Sequence, residues 1–331
     1  EPISFLKNGA NWRHFYLLSS LPSLSLQQTF YRERLVNILI LGPGAIGSLW
    51  ATKFQLAGHQ VSVWGRTSEP QHSLTLDDSP TMEFPNQHIP SLQQADLILV
   101  TVKAWQVITA LKPLIEHIHR DAIVMLMHNG MGTAEQVEEM LSANPVVIAT
   151  TTHGAYKPNK EHVMHTGQGI TQVGGFNASG AQCQFLQDVM QHALPKVVWN
   201  PNINAALWTK LAINCAINPL TALHQCKNGD LAHGDFQDTL KNITKELVEV
   251  MNKEDIATQF DVLFETIMQV VRATSENYSS MRQDVFHQRP TEIDFITGYL
   301  LKAAEKHRIN TPENLELYQR IKQIEQSWTE E

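Results

Sequence analysis

The loop Gly42-Pro43-Gly44-Ala45-Ile46-Gly47 constrains this chain most, because of what stands on either side of it. An apolar stretch over 36–41 runs into it, and a helix-period stretch over 45–57, closed by Gly58, leads away. Strand, Gly-x-Gly-x-x-Gly and helix in that order make the turn of a nucleotide-binding β-α-β unit. The first glycine permits a tight turn, the second lets the backbone approach a pyrophosphate, and the third lets the helix pack closely on the strand. N–H groups at the helix start are then open to phosphate. Without a ligand the same residues would be a glycine-rich turn, and the combination of strand, spacing and helix weighs against that.

A second strand is expected over 61–64, after a link as short as a β-α-β unit needs. Continuous apolar runs follow at 97–102, 122–127 and 146–149. Runs of this kind mark strands buried on both faces, as in a parallel sheet covered by helices. The stretch 66–90 reads as a polar, proline-marked insertion. Over 150–175 Thr, His and Gly interleave, which predicts antiparallel strands added to the sheet edge. Past Pro201 strand signals fade and helix-period segments take over, at 202–223, 235–252, 262–274, 291–307 and 312–327. The fold class expected is an α/β Rossmann-type N-terminal domain over 37–200 followed by an all-α C-terminal domain over 201–331. Residues 1–36 are expected to be a poorly ordered extension.

Length and composition agree with this division. A chain of 331 residues suffices for two domains with separate cores. With 25 Lys+Arg against 33 Asp+Glu the net charge is −8, which gives no electrostatic reason to expect a nucleic-acid partner. No apolar run reaches the ~18 residues of a membrane-spanning helix, so no membrane partner is expected. Residues 15–26 imitate a signal-peptide core weakly, but serines and a proline interrupt them and no small-residue cleavage site follows. Cys183, Cys215 and Cys226 are odd in number and lack CxxC or His-pair spacing, so neither a disulfide framework nor a metal site is indicated. They read as buried thiols of a reducing compartment, the cytoplasm. None of the fifteen histidines pairs at i, i+4 with a carboxylate in metal-ligand fashion, and His153, His162 and His165 read as strand and turn residues.

Several polar residues stand where chemistry would be expected. An NAD-preferring fold usually ends its second strand on Asp or Glu; here Val63-Trp64-Gly65 leads to Arg66, whose paired donors suit a 2′-phosphate and so NADPH, and the missing acid weighs against the alternative of a mere surface cation. Lys103 and Asn129 each follow the carboxyl end of a predicted strand, where open parallel sheets bind ligands, although a solvated lysine and an ordinary turn residue would look the same. On the helix predicted over 202–223, Lys210, Asn214 and Asn218 recur every four residues within apolar surroundings. Asparagine is a poor helix former, and such a face would be costly unless it lined a polar cleft. The alternative is a solvent-facing stripe, which usually favours Glu, Lys and Gln. Glu292 reads as a helix-start carboxylate and Ser279-Ser280 as a cap or turn.

Taken together, these stretches resemble the ketopantoate reductases, or 2-dehydropantoate 2-reductases, the NADPH enzymes of pantothenate and coenzyme A synthesis. The segments that carry the resemblance are 42–50, Thr101-Val102-Lys103-Ala104-Trp105-Gln106, 128–132, Thr150-Thr151-Thr152-His153, 207–222, Ser279-Ser280-Met281 and Thr291-Glu292-Ile293-Asp294, covering about 37–325. The resemblance implies that Lys210 is the proton donor and that Asn214, Asn218, Asn228 and Ser280 hold substrate. It places Glu292 where substrate and nicotinamide meet. Cofactor contacts carry over to Gly42, Pro43, Gly44, Ala45, Ile46, Gly47, Arg66, Lys103, Asn129, Glu292 and the backbone of Ala155, with Asn129 touching substrate as well. The N-terminal extension has no counterpart in the family, and Pro43 stands where the family varies. The reaction implied is hydride transfer from NADPH to the ketone carbon of ketopantoate while Lys210 protonates the alkoxide, in a monomer or homodimer. Two other readings are a reductase of another branched 2-oxo acid and a non-catalytic NADPH sensor. The joint presence of Lys210, Asn214 and Glu292 argues against the sensor.

Overall fold

A computed structural model describes residues 36–328. The extension expected over 1–36 lies outside the described residues, except for Val36, which is buried and accepts the Gln60 N–H on its carbonyl. Contacts between Cα atoms divide the chain into two compact units. The first takes the chain up to Val102 together with Leu111–Met127 and Glu138–Pro201; the second takes Lys103–Ala110, His128–Val137 and everything from Asn202. Two segments expected within the 37–200 domain thus belong to the second unit.

In chain order the elements up to Pro201 are β1 (Asn37–Leu41), α1 (Ala45–Leu56), β2 (Gln60–Trp64), β3 (Gln71–Leu76), β4 (Met82–Pro85), α2 (Ile89–Gln93), β5 (Leu97–Val100), α3 (Val107–Leu111), β6 (Ile123–Leu126), α4 (Ala134–Met140), β7 (Val146–Thr151), β8 (Gly154–Tyr156), β9 (His162–Gly167), β10 (Thr171–Gly175), α5 (Leu186–Ala193) and β11 (Val197–Trp199). The strands form a seven-stranded sheet of order β11-β10-β7-β6-β5-β1-β2 and a four-stranded sheet of order β4-β3-β9-β8. From β2 to β7 the large sheet is parallel, and β5 and β6 are buried along their whole length, as continuous apolar runs require. The chain leaves β1 toward β2 on one side and later returns to β5 on the other. Loops at the carboxyl ends of β1 and β5 therefore flank the point where strand order reverses, the usual place for a ligand in such sheets.

Two expectations need correction. Residues 66–90 are more than an insertion: β3 and β4 pair as an antiparallel hairpin that buries Leu74, Leu76 and Phe84. Of the strands expected at the sheet edge over 150–175, only β10 joins β7 antiparallel, while β8 and β9 build the second sheet with β3. Helix α1 buries Leu49, Trp50, Ala51 and Phe54, and the Trp50 and Phe54 rings pack tilted at 35° with centroids 5.1 Å apart.

From Asn202 the described chain is helical: α6 (Ile203–His224), α7 (Gly234–Lys253), α8 (Phe260–Ala273), α9 (Ser280–Phe286), α10 (Thr297–His307) and α11 (Pro312–Ser327), with short 3₁₀ turns at Asn228–Ala232 and Ile293–Phe295. Helix α6 is the axis of this unit's core, contributing Trp208, Leu211, Ala212, Cys215 and Leu220. The helix expected over 291–307 is interrupted at Ile296, whose ψ of −89° breaks it into a 3₁₀ turn and α10. Helix α9, expected only as a cap or turn, begins where the Ser279 hydroxyl accepts the Arg282 N–H. Cys183 and Cys215 are buried thiols, whereas Cys226 is half-buried, a correction to the expectation for all three. Among the described residues no helix is long and apolar enough to cross a membrane.

Candidate functional site

In the first unit the glycine loop is held from several directions. Gly42 adopts φ +92°, and a Cβ there would collide with Val102, so only glycine fits this turn. A Cβ on Gly47 would meet the Thr101 hydroxyl and the Gly42 carbonyl, which is the close packing of helix on strand that the motif requires. Thr101 Oγ1 donates to the Gly42 carbonyl at 2.7 Å and ties the loop to the end of β5. Gly44 differs, because a Cβ built there meets nothing within 4 Å. No side chain caps α1 and no acidic residue stands in its first turn, which leaves the N–H groups of that turn available to phosphate. The residues present therefore fit a dinucleotide.

Arg66 is exposed just past β2, and its turn is fastened by the two residues that follow β4. Buried Asn86 accepts the Gly65 N–H at 2.9 Å and donates to the carbonyls of Thr67 and Glu69 at 2.9 and 2.7 Å, while Gln87 donates to the Gly65 carbonyl at 2.8 Å. Ala155, half-buried, lies in β8.

The second unit gathers a denser cluster. Glu292 is only 3% exposed, and its Oε1 accepts the Ala104 N–H at 2.9 Å while Oε2 accepts Asn129 Nδ2 at 3.3 Å. Its side chain reaches these distant groups and does not cap its own helix. Lys103 Nζ lies 3.5 Å from Glu292 and 2.7 Å from Asp284, a buried carboxylate that Arg289 also approaches at 3.5 Å. Burial pulls the Lys103 pKa down, but the two carboxylates outweigh it and leave the group more firmly cationic than an ordinary lysine. Burial raises the pKa of Asp284, and Lys103 offsets this only in part.

The loop that carries Asn129 is seated on the turn after Glu292. Gly130 has φ +81° and a Cβ there would strike Phe295, whose carbonyl accepts the Met131 N–H at 2.8 Å. His128 Nδ1 faces the Asn129 carbonyl at 2.9 Å and so carries the proton, leaving Nε2 to accept from the Thr133 hydroxyl at 2.7 Å. Burial, with Lys210 nearby, lowers the pKa of this imidazole and keeps it neutral.

On α6, burial lowers the Lys210 ammonium from 10.5 to about 8, against the opposing pull of Glu292. Asn214 and Asn218 follow on the same face, Asn218 being 6% exposed, and neither side-chain amide has a hydrogen-bond partner among the described residues. Asn228 donates to the Thr274 hydroxyl at 2.9 Å, yet its buried Oδ1 has no partner there. Asn214 is half-buried and Asn218 and Asn228 are buried, and buried amides are normally satisfied, so open amide groups at these positions suit a polar ligand. Ser280 is exposed at the start of α9, while Ser279 is structural, bonded to the Thr221 hydroxyl at 2.7 Å.

The first unit thus holds Gly42, Pro43, Gly44, Ala45, Ile46, Gly47, Arg66 and Ala155; the second holds Lys103, Asn129, Lys210, Asn214, Asn218, Asn228, Ser280 and Glu292. Residues 38–178 match a family model described as ketopantoate reductase PanE/ApbA, and residues 202–325 match its C-terminal counterpart. A 2-dehydropantoate 2-reductase of Vibrio cholerae is 54% identical over 294 residues, covering 89% of this chain and 99% of that one. The chain belongs to the ketopantoate reductase family. Within the family, a 2-dehydropantoate 2-reductase of Escherichia coli O157:H7 is 40% identical over 298 residues, covering 88% of this chain and 96% of that one. The crystal structure of a PanE/ApbA family ketopantoate reductase from Ralstonia eutropha matches with a TM-score of 0.79 at 25% identity, covering 88% of this chain and 98% of that one. Family fold extends further, to a D-mandelate dehydrogenase solved with NADH and anilino(oxo)acetate, at TM-score 0.80 and 21% identity over 88% of this chain and 98% of that one.

Asn86 and Asp284 stand in these clusters although nothing in the sequence alone marks them. Asp284 binds a lysine 181 positions away, and Asn86 holds a turn some 20 residues earlier in the chain, so no local spacing announces either.

Proposed function

We propose that this chain catalyses the NADPH-dependent reduction of ketopantoate to pantoate, in the cytoplasm, as a step of pantothenate and coenzyme A biosynthesis. The observation that carries the reading is the α6 face, where a lysine of depressed pKa precedes two unpaired asparagine amides, in a chain of the ketopantoate reductase family. The glycine loop, the α1 N-terminus and Arg66 would hold the cofactor, and Lys103, Asn129, Glu292 and the Ala155 backbone are assigned contacts to it. NADPH, when bound, supplies the hydride.

The chain's own residues supply proton, charge and orientation. Lys210 Nζ donates its proton to the ketone oxygen as negative charge develops there, and its ammonium polarises the carbonyl beforehand. Glu292 favours the protonated form of Lys210. Asn214, Asn218 and Ser280 orient the substrate, and Asn228 Oδ1, which lacks a donor, accepts from a substrate hydroxyl. Arg66 in place of an acid supports NADPH over NADH.

The test is oxidation of NADPH by the full chain with ketopantoate, followed by nicotinamide absorbance, beside Lys210→Ala. The variant is expected to lose about 10² to 10⁴ in kcat with little change in NADPH affinity. Unchanged turnover would remove Lys210 from the mechanism. Turnover confined to a different branched 2-oxo acid would favour the second reading.

A further inference from the structure

Lys157, just past β8, is a half-buried lysine in the first unit whose Nζ engages the glycine loop. It donates to the Pro43 carbonyl at 2.8 Å and to Ser48 Oγ at 3.0 Å, and Ser48 Oγ in turn donates to the same carbonyl at 3.0 Å. Ser48 is fully buried in the first turn of α1, so this triangle is anchored on both the loop and the helix start. An ammonium carries three N–H donors. Two are engaged here, and the third meets no acceptor among the described residues.

The charge is also uncompensated. Two other partly buried lysines sit against carboxylates, Lys103 on Asp284 and Lys322 on Asp294 and Glu325. Among the described residues Lys157 has no carboxylate partner, and burial alone draws its pKa down from 10.5 to about 8. An ammonium kept partly out of water with an open donor is costly unless an anion completes it. The groups beside it are those of a phosphate site: the uncapped α1 N-terminus and Gly44, where a Cβ would meet nothing within 4 Å.

We propose that Lys157 is a cofactor-binding residue whose remaining N–H bonds the pyrophosphate of the dinucleotide held on the glycine loop. This rests on the reading that the loop binds a nicotinamide dinucleotide. Arg66 would recognise the 2′-phosphate and so separate NADPH from NADH, whereas Lys157 would serve both equally, because both carry the pyrophosphate.

The test is equilibrium binding on the full chain by fluorescence titration with NADPH, NADH and adenosine 2′-monophosphate, which has no pyrophosphate, together with the melting temperature of each variant. Lys157→Met is expected to raise Kd for NADPH and NADH by the same factor, roughly ten- to a hundredfold for one charge-assisted bond, and to leave adenosine 2′-monophosphate unchanged. Lys157→Arg should recover most of the loss. An unchanged Kd for NADPH in Lys157→Met, or an equal loss for adenosine 2′-monophosphate, would overturn the proposal and leave Lys157 a prop of the loop. If Lys157→Met melts too early to titrate, Lys157→Gln is read by the same criteria. Failure of the unmodified chain to bind either dinucleotide would instead refute the reading of the loop.

Discussion

Lys103 and Lys210 show how burial alone does not decide a lysine's role. Lys103 meets two carboxylates and is a fixed charge, while Lys210 feels one carboxylate and mainly desolvation. A proton donor must be protonated to act, so activity that depends on Lys210 is present below its pKa and lost above it. With that pKa near 8, kcat/KM for ketopantoate should fall as pH rises through about 8, and Glu292→Gln, by removing the supporting carboxylate, should move the fall to lower pH. A pH profile of initial rates reads both. Arg66→Ala should weaken NADPH by roughly ten- to a hundredfold while leaving NADH nearly untouched, measured as the ratio of the two Kd values. The Lys210, Asn214 and Asn218 face was legible in sequence because helical spacing is local. Asp284 and Lys157 were not, because each acquires meaning from a partner the chain reaches only through the fold.

Among the elements, α11 illustrates a helix start satisfied from outside. Its own N-cap residue, Thr311, makes no side-chain cap bond. Buried Glu246 of α7 takes over, accepting the N–H groups of Glu313 and Asn314 at 2.9 and 3.0 Å and the Asn314 amide at 2.7 Å. Glu246→Ala should cost about 2 kcal/mol of stability, since it leaves buried donors without an acceptor. Urea denaturation monitored by circular dichroism would show it as a lower midpoint with unchanged slope. The extent of α11 was legible at 312–327, where Pro312 opens an amphipathic run. The β3–β4 hairpin was not, because its alternation is short and one face stays in water. The break at Ile296 was hidden too, since Glu292 answers to Ala104 and Asn129 and not to its own helix.

At the scale of the molecule, the parallel sheet and the helical second half were legible from the change in hydrophobic period near Pro201. The make-up of the second unit was not, because Lys103–Ala110 and His128–Val137 follow strand runs in sequence and show no sign of belonging with helices beyond 201. Without those segments Glu292 would lose the Ala104 and Asn129 donors, and Asp284 would lose Lys103. Removing one partner of a buried pair costs about 3–5 kcal/mol, comparable with a domain's whole stability. Residues 202–328 produced alone should therefore lack a cooperative thermal transition by circular dichroism, whereas the full chain should show one.

The same three-part construction bears on how such chains can be recombined. A crossover at residue 201 between two relatives would look clean on a linear map, yet it would deliver an inherited Glu292 to another lineage's Ala104 backbone, Asn129 loop and Lys103. Exchange of specificity between relatives should succeed only when 103–110 and 128–137 travel with the C-terminal half. The heritable module is a set of three segments scattered along the chain.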